Sequence, residues 1–333
     1  MAHLIDMSNG RANMAYVGEK PWHGLGSELE QGASLDQWRI AAGLNWEAAS
    51  ADIYYRNAFK QDANGKGELM KGESKLIYRS DTGVELGIAS DRYKIVQPGE
   101  VLEFFRDLTE ENGMRMETAG CIEGGKRIWA LAATGDEFRL AGQDQVNGYV
   151  LLATSFDGSM ATQARFTSVR VVCNNTLSVA VAGNSQGAIK VPHSTEFDGH
   201  KVKVDMGLLH GAWAEFQAGA EAMAARRVSE RESVDFLIKL MATEAEQRDP
   251  ESISTRKRNI IADILGRARG RGMGSQYRSA AGTAWGLLNA VTEYVDHTQG
   301  NSAETRFKSA QFGQGAQLKV AAWDAGMRLA LAA

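Results

Sequence analysis

Only two cysteines occur in the 333 residues, Cys121 and Cys173, and they stand far apart. That excludes a disulfide framework and makes a reducing cytoplasm, that of a bacterial host cell, the expectation. No apolar run approaches the roughly 20 residues of a membrane span, and the first residues lack a basic segment followed by a long apolar stretch. Metal spacings are missing too. The six histidines form no HExxH pattern, and His193, His200 and His210 are too irregularly separated for a preformed zinc site. Gly24-Leu25-Gly26 and Gly270-Arg271-Gly272 do not follow a strand inside a βαβ unit, so neither points to a dinucleotide or P-loop site. No acidic pair has convincing spacing for two-metal nuclease chemistry, and neither an internal repeat nor a long heptad run is visible. No cofactor or metal is expected. Excess positive charge is also lacking. The net charge of −4 argues against a wholesale nucleic-acid coat but leaves room for a local basic groove, because a polyanion feels the local field.

What remains is ordinary globular composition, 44% hydrophobic and 23% charged, enough for one large or two modest domains. Residues 1–34 read as an extended arm with Trp22-His23 as an anchored turn, 35–204 as an α+β core and 205–333 as a helical part. Ser34 and Gln37 form a capping box for a short helix. Strands are predicted over 45–59, 75–79 and 84–89, with a polar loop over 60–74. Pro98 opens a helix whose buried stripe is Val101, Leu102, Phe104, Phe105 and Leu108. Strands over 114–122 and 127–133 follow, then a polar linker over 135–146 and a hairpin, 149–156 and 159–167, around Asp157-Gly158. From Val169 the apolar spacing (Val169, Val172, Cys173, Leu177, Ala180) predicts a helix ending at Gly183. One more strand is predicted over 188–193. Beyond 205, Leu209, Ala212, Trp213, Phe216, Ala220 and Met223 make a helical stripe, and a second capping box, Ser229 to Glu232, opens a helix to Met241. Helices over 256–270, 281–297 and 316–331 complete an α+β fold: a mostly antiparallel N-terminal sheet with packed helices, then a helical C-terminal part.

Three groups of residues carry candidate chemistry. Arg256, Lys257, Arg258, Arg267, Arg269, Arg271 and Arg278 set seven bases against one acid, Asp263, with interleaved glycines that let a backbone approach phosphate. The alternative is a solvated face balanced by the acids of 230–251. Arg165, Arg170, Lys190, Lys201 and Lys203 cluster around the hairpin, where Phe156, Phe166 and Tyr93 could stack on unpaired bases unless they are core. Asn174 and Asn175 add hydrogen-bonding amides. Cys173 invites a nucleophile reading with His193 or His210 as base, against a buried, inert thiol on an apolar stripe.

Trp22-His23-Gly24-Leu25-Gly26, LGIASDRYKIVQPGEVLEFF (86–105), FTSVRVVCNNTL (166–177) and TAWGLLNAVTEYVDH (283–297) resemble the phage- and plasmid-related proteins built on domain of unknown function 932. Phe156 departs from that pattern, in which His often precedes Asp-Gly, so no histidine role carries over there. The resemblance implies a mobile-element origin and no particular activity. The order of elements, a helix, strands, an Asp-Gly hairpin and a helix, is also similar to the β-β-β-α core of phage single-strand annealing proteins of the RecT and Redβ class. That similarity implies a basic groove for single-stranded DNA and subunits assembled in rings or filaments. The expectation is thus a non-enzymatic, homo-oligomeric protein that binds single-stranded DNA and promotes annealing or recombination, with phage or host recombination or replication proteins as candidate partners. Arg165 and Arg170 would hold phosphates, Asn174 and Asn175 would bond backbone or base edges, and the 256–278 block would extend the path. A nucleic-acid-processing enzyme using Cys173 and a protein-interaction factor acting on a host system are the alternatives.

Overall fold

The chain is described by a computed structural model over residues 5–7, 10–18, 25–61, 63–111, 113–170, 172, 175–178, 188–207 and 210–332. Its strands, in chain order, are β1 (Met14–Val17), β2 (Ser27–Leu29), β3 (Ala48–Gln61), β4 (Gly67–Arg79), β5 (Glu85–Ser90), β6 (Arg115–Ile122), β7 (Arg127–Leu140), β8 (Asp144–Ser155), β9 (Thr162–Arg170), β10 (Asn175–Ser178) and β11 (Ala188–Val191). Eight of them form one sheet in the order β10-β9-β8-β7-β6-β1-β2, with β11 also on β9. Its ladders are antiparallel except for β1 with β2. The rest, β3-β4-β5, make a separate antiparallel sheet.

The helices are α1 (Leu35–Ala41), α2 (Pro98–Glu111), α3 (Gly199–Gly207), α4 (His210–Ala225), α5 (Glu230–Met241), α6 (Glu244–Arg248), α7 (Thr255–Gly266), α8 (Ala284–His297), α9 (Ala303–Phe312) and α10 (Gln314–Leu331). The class is the α+β one expected. The stripe of α2 is buried as its spacing requires. Helix α8 is buried from Ala284 to Val295, with the polar Asn289, Thr292 and Glu293 buried along with its apolar residues. It packs so closely that a Cβ on Gly286 would sit 1.9 Å from the Ala280 carbonyl oxygen. One hydrophobic cluster runs from Ala15 on β1 through Leu152 and Phe156 to Trp285 and Trp323 in the C-terminal helices.

Several expected elements differ. The helix expected from Val169 is not formed at its start: β9 runs to Arg170, and Asn175–Ser178 returns as β10, with Thr176 opposite Val169 and Leu177 opposite Ser168. β-Branched Val169 and Thr176 fit a pleated ladder better than a helix, and pairing decides between two patterns that a short apolar run satisfies equally. Ala180 and Gly183 lie outside the described residues. The loop expected over 60–74 is largely strand, since β4 begins at Gly67. The linker over 135–146 is the tip of a long hairpin, where Ala141 and Gly142 take positive φ between β7 and β8. Helix α9 was not expected. Within the first 34 residues, β1 is buried and pairs with β6.

Both capping boxes are present, and a third, Thr243 with Glu246, opens α6. The Ser229 backbone N–H, then Arg226, hold the Glu232 carboxyl down to about 2. Lys257, at 2.5 Å, and then the Thr243 N–H do the same for Glu246. A depressed folded-state pKa gives stability that is complete above the ordinary glutamate value and is lost as pH falls through the folded value. The urea midpoint is therefore expected to fall between about pH 4.5 and 2. In a Glu232→Gln, Glu246→Gln variant that fall should be shallower, and an identical profile would show that the caps are not formed in solution.

Candidate functional site

Arg165 and Arg170 do not stand exposed at the sheet edge. Both lie on β9 with side chains turned into the fold, 6% and 3% exposed. Arg170 grips the fully buried Asp144 at the start of β8 through Nε (2.6 Å) and Nη2 (2.8 Å). It also donates to the carbonyls of Met273 and Gly274 and lies over the Tyr277 ring. Asp144 further accepts from Ser279 Oγ (2.6 Å) and Trp285 Nε1 (3.0 Å). This is a structural clamp between the sheet and the C-terminal helices, and it leaves Arg170 no face for a phosphate. Arg165 Nη2 donates to the Gln311 carbonyl (2.6 Å), and the guanidinium lies over Phe312. Arg170 is thus neutralised inside the fold, and Arg165 is held by Gln311 and Phe312, so neither guanidinium stands on the exposed rim that was expected.

The proposed stacking residues are structural as well. Phe156 is fully buried against Trp46, and Phe166 is core. Tyr93 stacks on His193 with centroids 4.2 Å apart and donates its hydroxyl to the Ser155 carbonyl. Both His193 ring nitrogens face carbonyls, of Lys94 and Met160, which occupies it structurally rather than as a base. Cys173 and Asn174 lie outside the described residues; Asn175 pairs through its backbone with Arg170. The other thiol, Cys121, is buried and its pKa is pushed far up by burial, which makes it inert. Among the described residues no group of three or more His, Cys, Asp or Glu is placed to hold a metal ion, and no helix is long and apolar enough to cross a membrane.

The 256–278 block is mostly balanced by acids. Lys257 pairs with Glu246, Arg269 with Glu230 (2.6 Å), Arg271 with Asp263 (3.0 Å), and Arg267 with both Asp263 and Glu293. Two of these partners belong to the acidic stretch whose balancing role the sequence suggested. Arg256, Arg258 and Arg278 remain exposed and make no ion pair with a described residue. Lys201 is exposed on α3, Lys203 lies 5.4 Å from the centroid of the Phe104 ring, and Lys190 is exposed on β11.

A different surface combines cations with open aromatic rings. Beyond the last β5 contact, at Ser74, β3 and β4 continue as a two-stranded ribbon, about 23 Å long at the usual rise per residue. Its register places Tyr54 opposite Lys71 and Arg56 opposite Leu69, so these four share one face, while Tyr55 and Met70 share the other. Tyr54 is 56% exposed, Tyr55 49% and Phe59 fully so. Arg56, Lys60 and Lys66 are exposed beside them. Arg56 donates to the Gly67 carbonyl (2.9 Å), and Lys71 pairs with Asp52, whose hydrogen bond raises the Lys71 pKa. A ribbon of this kind gains little from packing, so rings held in solvent are a cost to the free protein and suit a partner. Period-2 placement of Tyr54 and Arg56 was the signal available in the sequence; the polar 60–74 segment hid it.

No curated protein and no solved structure matches the chain. The model of one family, domain of unknown function (DUF932), matches residues 85–323, from β5 into α10. That span holds the Asp144 clamp and Arg165, begins after the ribbon, and covers well over half of the sequence, so the chain belongs to the DUF932 family.

Proposed function

We propose that the protein binds single-stranded nucleic acid without covalent chemistry, through the β3–β4 ribbon rather than through β9. The observation that carries this reading is Tyr54, Tyr55 and Phe59 held in solvent beside Arg56, Lys60 and Lys66. Aromatic faces stack on unpaired bases of any sequence, while neighbouring cations follow the phosphates. Arg256, Arg258 and Arg278 supply a second set of accessible cations. The finer reading is a phage- or plasmid-type annealing protein that acts as a homo-oligomer in the bacterial cytoplasm. Its support is this ribbon, since the element order noted from the sequence needed a helix directly after the Asp-Gly hairpin, where β10 stands instead.

The test is fluorescence anisotropy of a labelled oligonucleotide over a salt series. Each neutralised phosphate contributes about −0.7 to the slope of log K against log salt for a single strand, so three ribbon cations give a slope of about −2. A salt-insensitive signal, or none at micromolar protein, overturns the proposal. Annealing of two complementary oligonucleotides and the solution mass with and without DNA read the finer claims.

A further inference from the structure

A cavity of about 320 Å³ lies between the β9–β11 edge and α10. Its floor follows from strand register: Gln163 is opposite Lys190 and Arg165 opposite Ala188, so alternate residues of two neighbouring strands face the same way. Its roof is the end of α9 and the first turns of α10, with Gln317 and, two turns on from Ala316, Asp324. At 320 Å³ it falls at the small end of the roughly 300–1,000 Å³ typical of small-molecule sites.

Arg165 is the unusual member. It is 94% buried by its 6% exposure, and among the described residues it makes no ion pair and its buried Nε has no hydrogen-bond partner. Among the described residues its hydrogen bonds leave from Nη2, to Gln311, and the guanidinium lies over Phe312. Burial draws its pKa down to about 10, which leaves it charged at neutral pH. A buried pair, Lys319 with Asp296 at 2.7 Å, is already neutralised within itself, and the Arg165 charge weighs on Lys319. A buried cation without a counter-ion is costly, whereas buried charges are ordinarily paired. The remedy on offer is an anion from outside. The N-terminal end of the 18-residue α10 borders the same cavity; its Gly315 N–H donates to Ser309 Oγ (3.0 Å), and a helix start favours negative charge.

We propose that this cavity binds the phosphate group of a small phosphorylated molecule, with Arg165, Lys190 and the start of α10 surrounding the phosphate. Donors arriving from the strand, the neighbouring strand and the helix suit a tetrahedral oxyanion better than a flat carboxylate. Asp324 sets the opposite limit. It repels a second negative charge, so the rest of the ligand is neutral or cationic, and an extended polyanion is disfavoured. The site shares no residue with the ribbon and stands or falls independently of nucleic-acid binding there.

The test uses the full chain with inorganic phosphate as the probe, against chloride at matched ionic strength, by calorimetric titration and thermal unfolding. Phosphate is expected to bind at one site per chain and to raise the unfolding temperature saturably. Arg165→Met should abolish the phosphate response and unfold at a higher temperature than the wild type in chloride, because an unpaired buried charge is gone. Should that variant not fold, the exposed Lys190→Ala is expected to weaken phosphate binding at least about fivefold. Equal unfolding temperatures in phosphate and chloride overturn the proposal, and so does undiminished binding by Lys190→Ala. An oligonucleotide without terminal phosphates that displaces bound phosphate would assign the pocket to a strand backbone and overturn the small-ligand reading.

Discussion

Asp144→Ala is expected to cost about 3–5 kcal/mol of unfolding free energy, read as a lowered urea midpoint at unchanged slope. The carboxylate is fully buried and receives two bonds from Arg170, one from Ser279 and one from Trp285. Its removal leaves a buried guanidinium with two carbonyls where it had two carbonyls and a counter-ion. The donors come from β9, from the segment before α8 and from α8 itself, so the loss is felt as loosening between sheet and helices rather than as damage to one strand. Removing both charges tells the two contributions apart. Asp144→Leu with Arg170→Met replaces the pair by apolar side chains, and most of the lost stability should return, since a broken buried pair costs more than an absent one. A single-variant loss below about 1 kcal/mol would mean that the clamp is hydrated in solution.

Phe59→Ala and Tyr54→Ala are each expected to weaken binding of a single-stranded oligonucleotide by about 5- to 150-fold, from about 1–3 kcal/mol of stacking per base. Neither should move the urea midpoint by more than about 0.5 kcal/mol equivalent, because exposed side chains support no core. Arg56→Ala should act differently, lowering affinity modestly and flattening the salt slope by about 0.7. The comparison is the triple replacement of Arg256, Arg258 and Arg278 by alanine. If that triple variant loses affinity while Phe59→Ala does not, the strand runs along α7 and the ribbon is assigned wrongly.

The elements that could be read from the chain were those whose signal is local. Ser34, Ser229 and their N3 partners announced two helix starts, because a cap is satisfied within four residues. The stripe of α2 was legible because one face meets the core and the other meets water. Residues 67–74 were not, since a ribbon with both faces in solvent carries no apolar alternation to detect. Val169 to Leu177 misled because a few apolar residues at spacings of three and four also fit two short strands, and only the pairing of β10 on β9 distinguishes them. The arginines show the same limit. Basic residue counts found Arg165 and Arg170, but not that Asp144, 26 residues before Arg170, would neutralise one and that no acid among the described residues would pair with the other.

By itself, then, the order of residues determined the α+β class, the capped helices, the turn at Asp157-Gly158 and family membership, all properties written in neighbouring positions or long matching stretches. Tertiary structure alone decided which cations reach solvent. Charge is a property of a residue, but accessibility and neutralisation depend on side chains far apart in sequence, such as Arg267 with Glu293 or Arg165 with Gln311, that meet only when the sheet and helices pack.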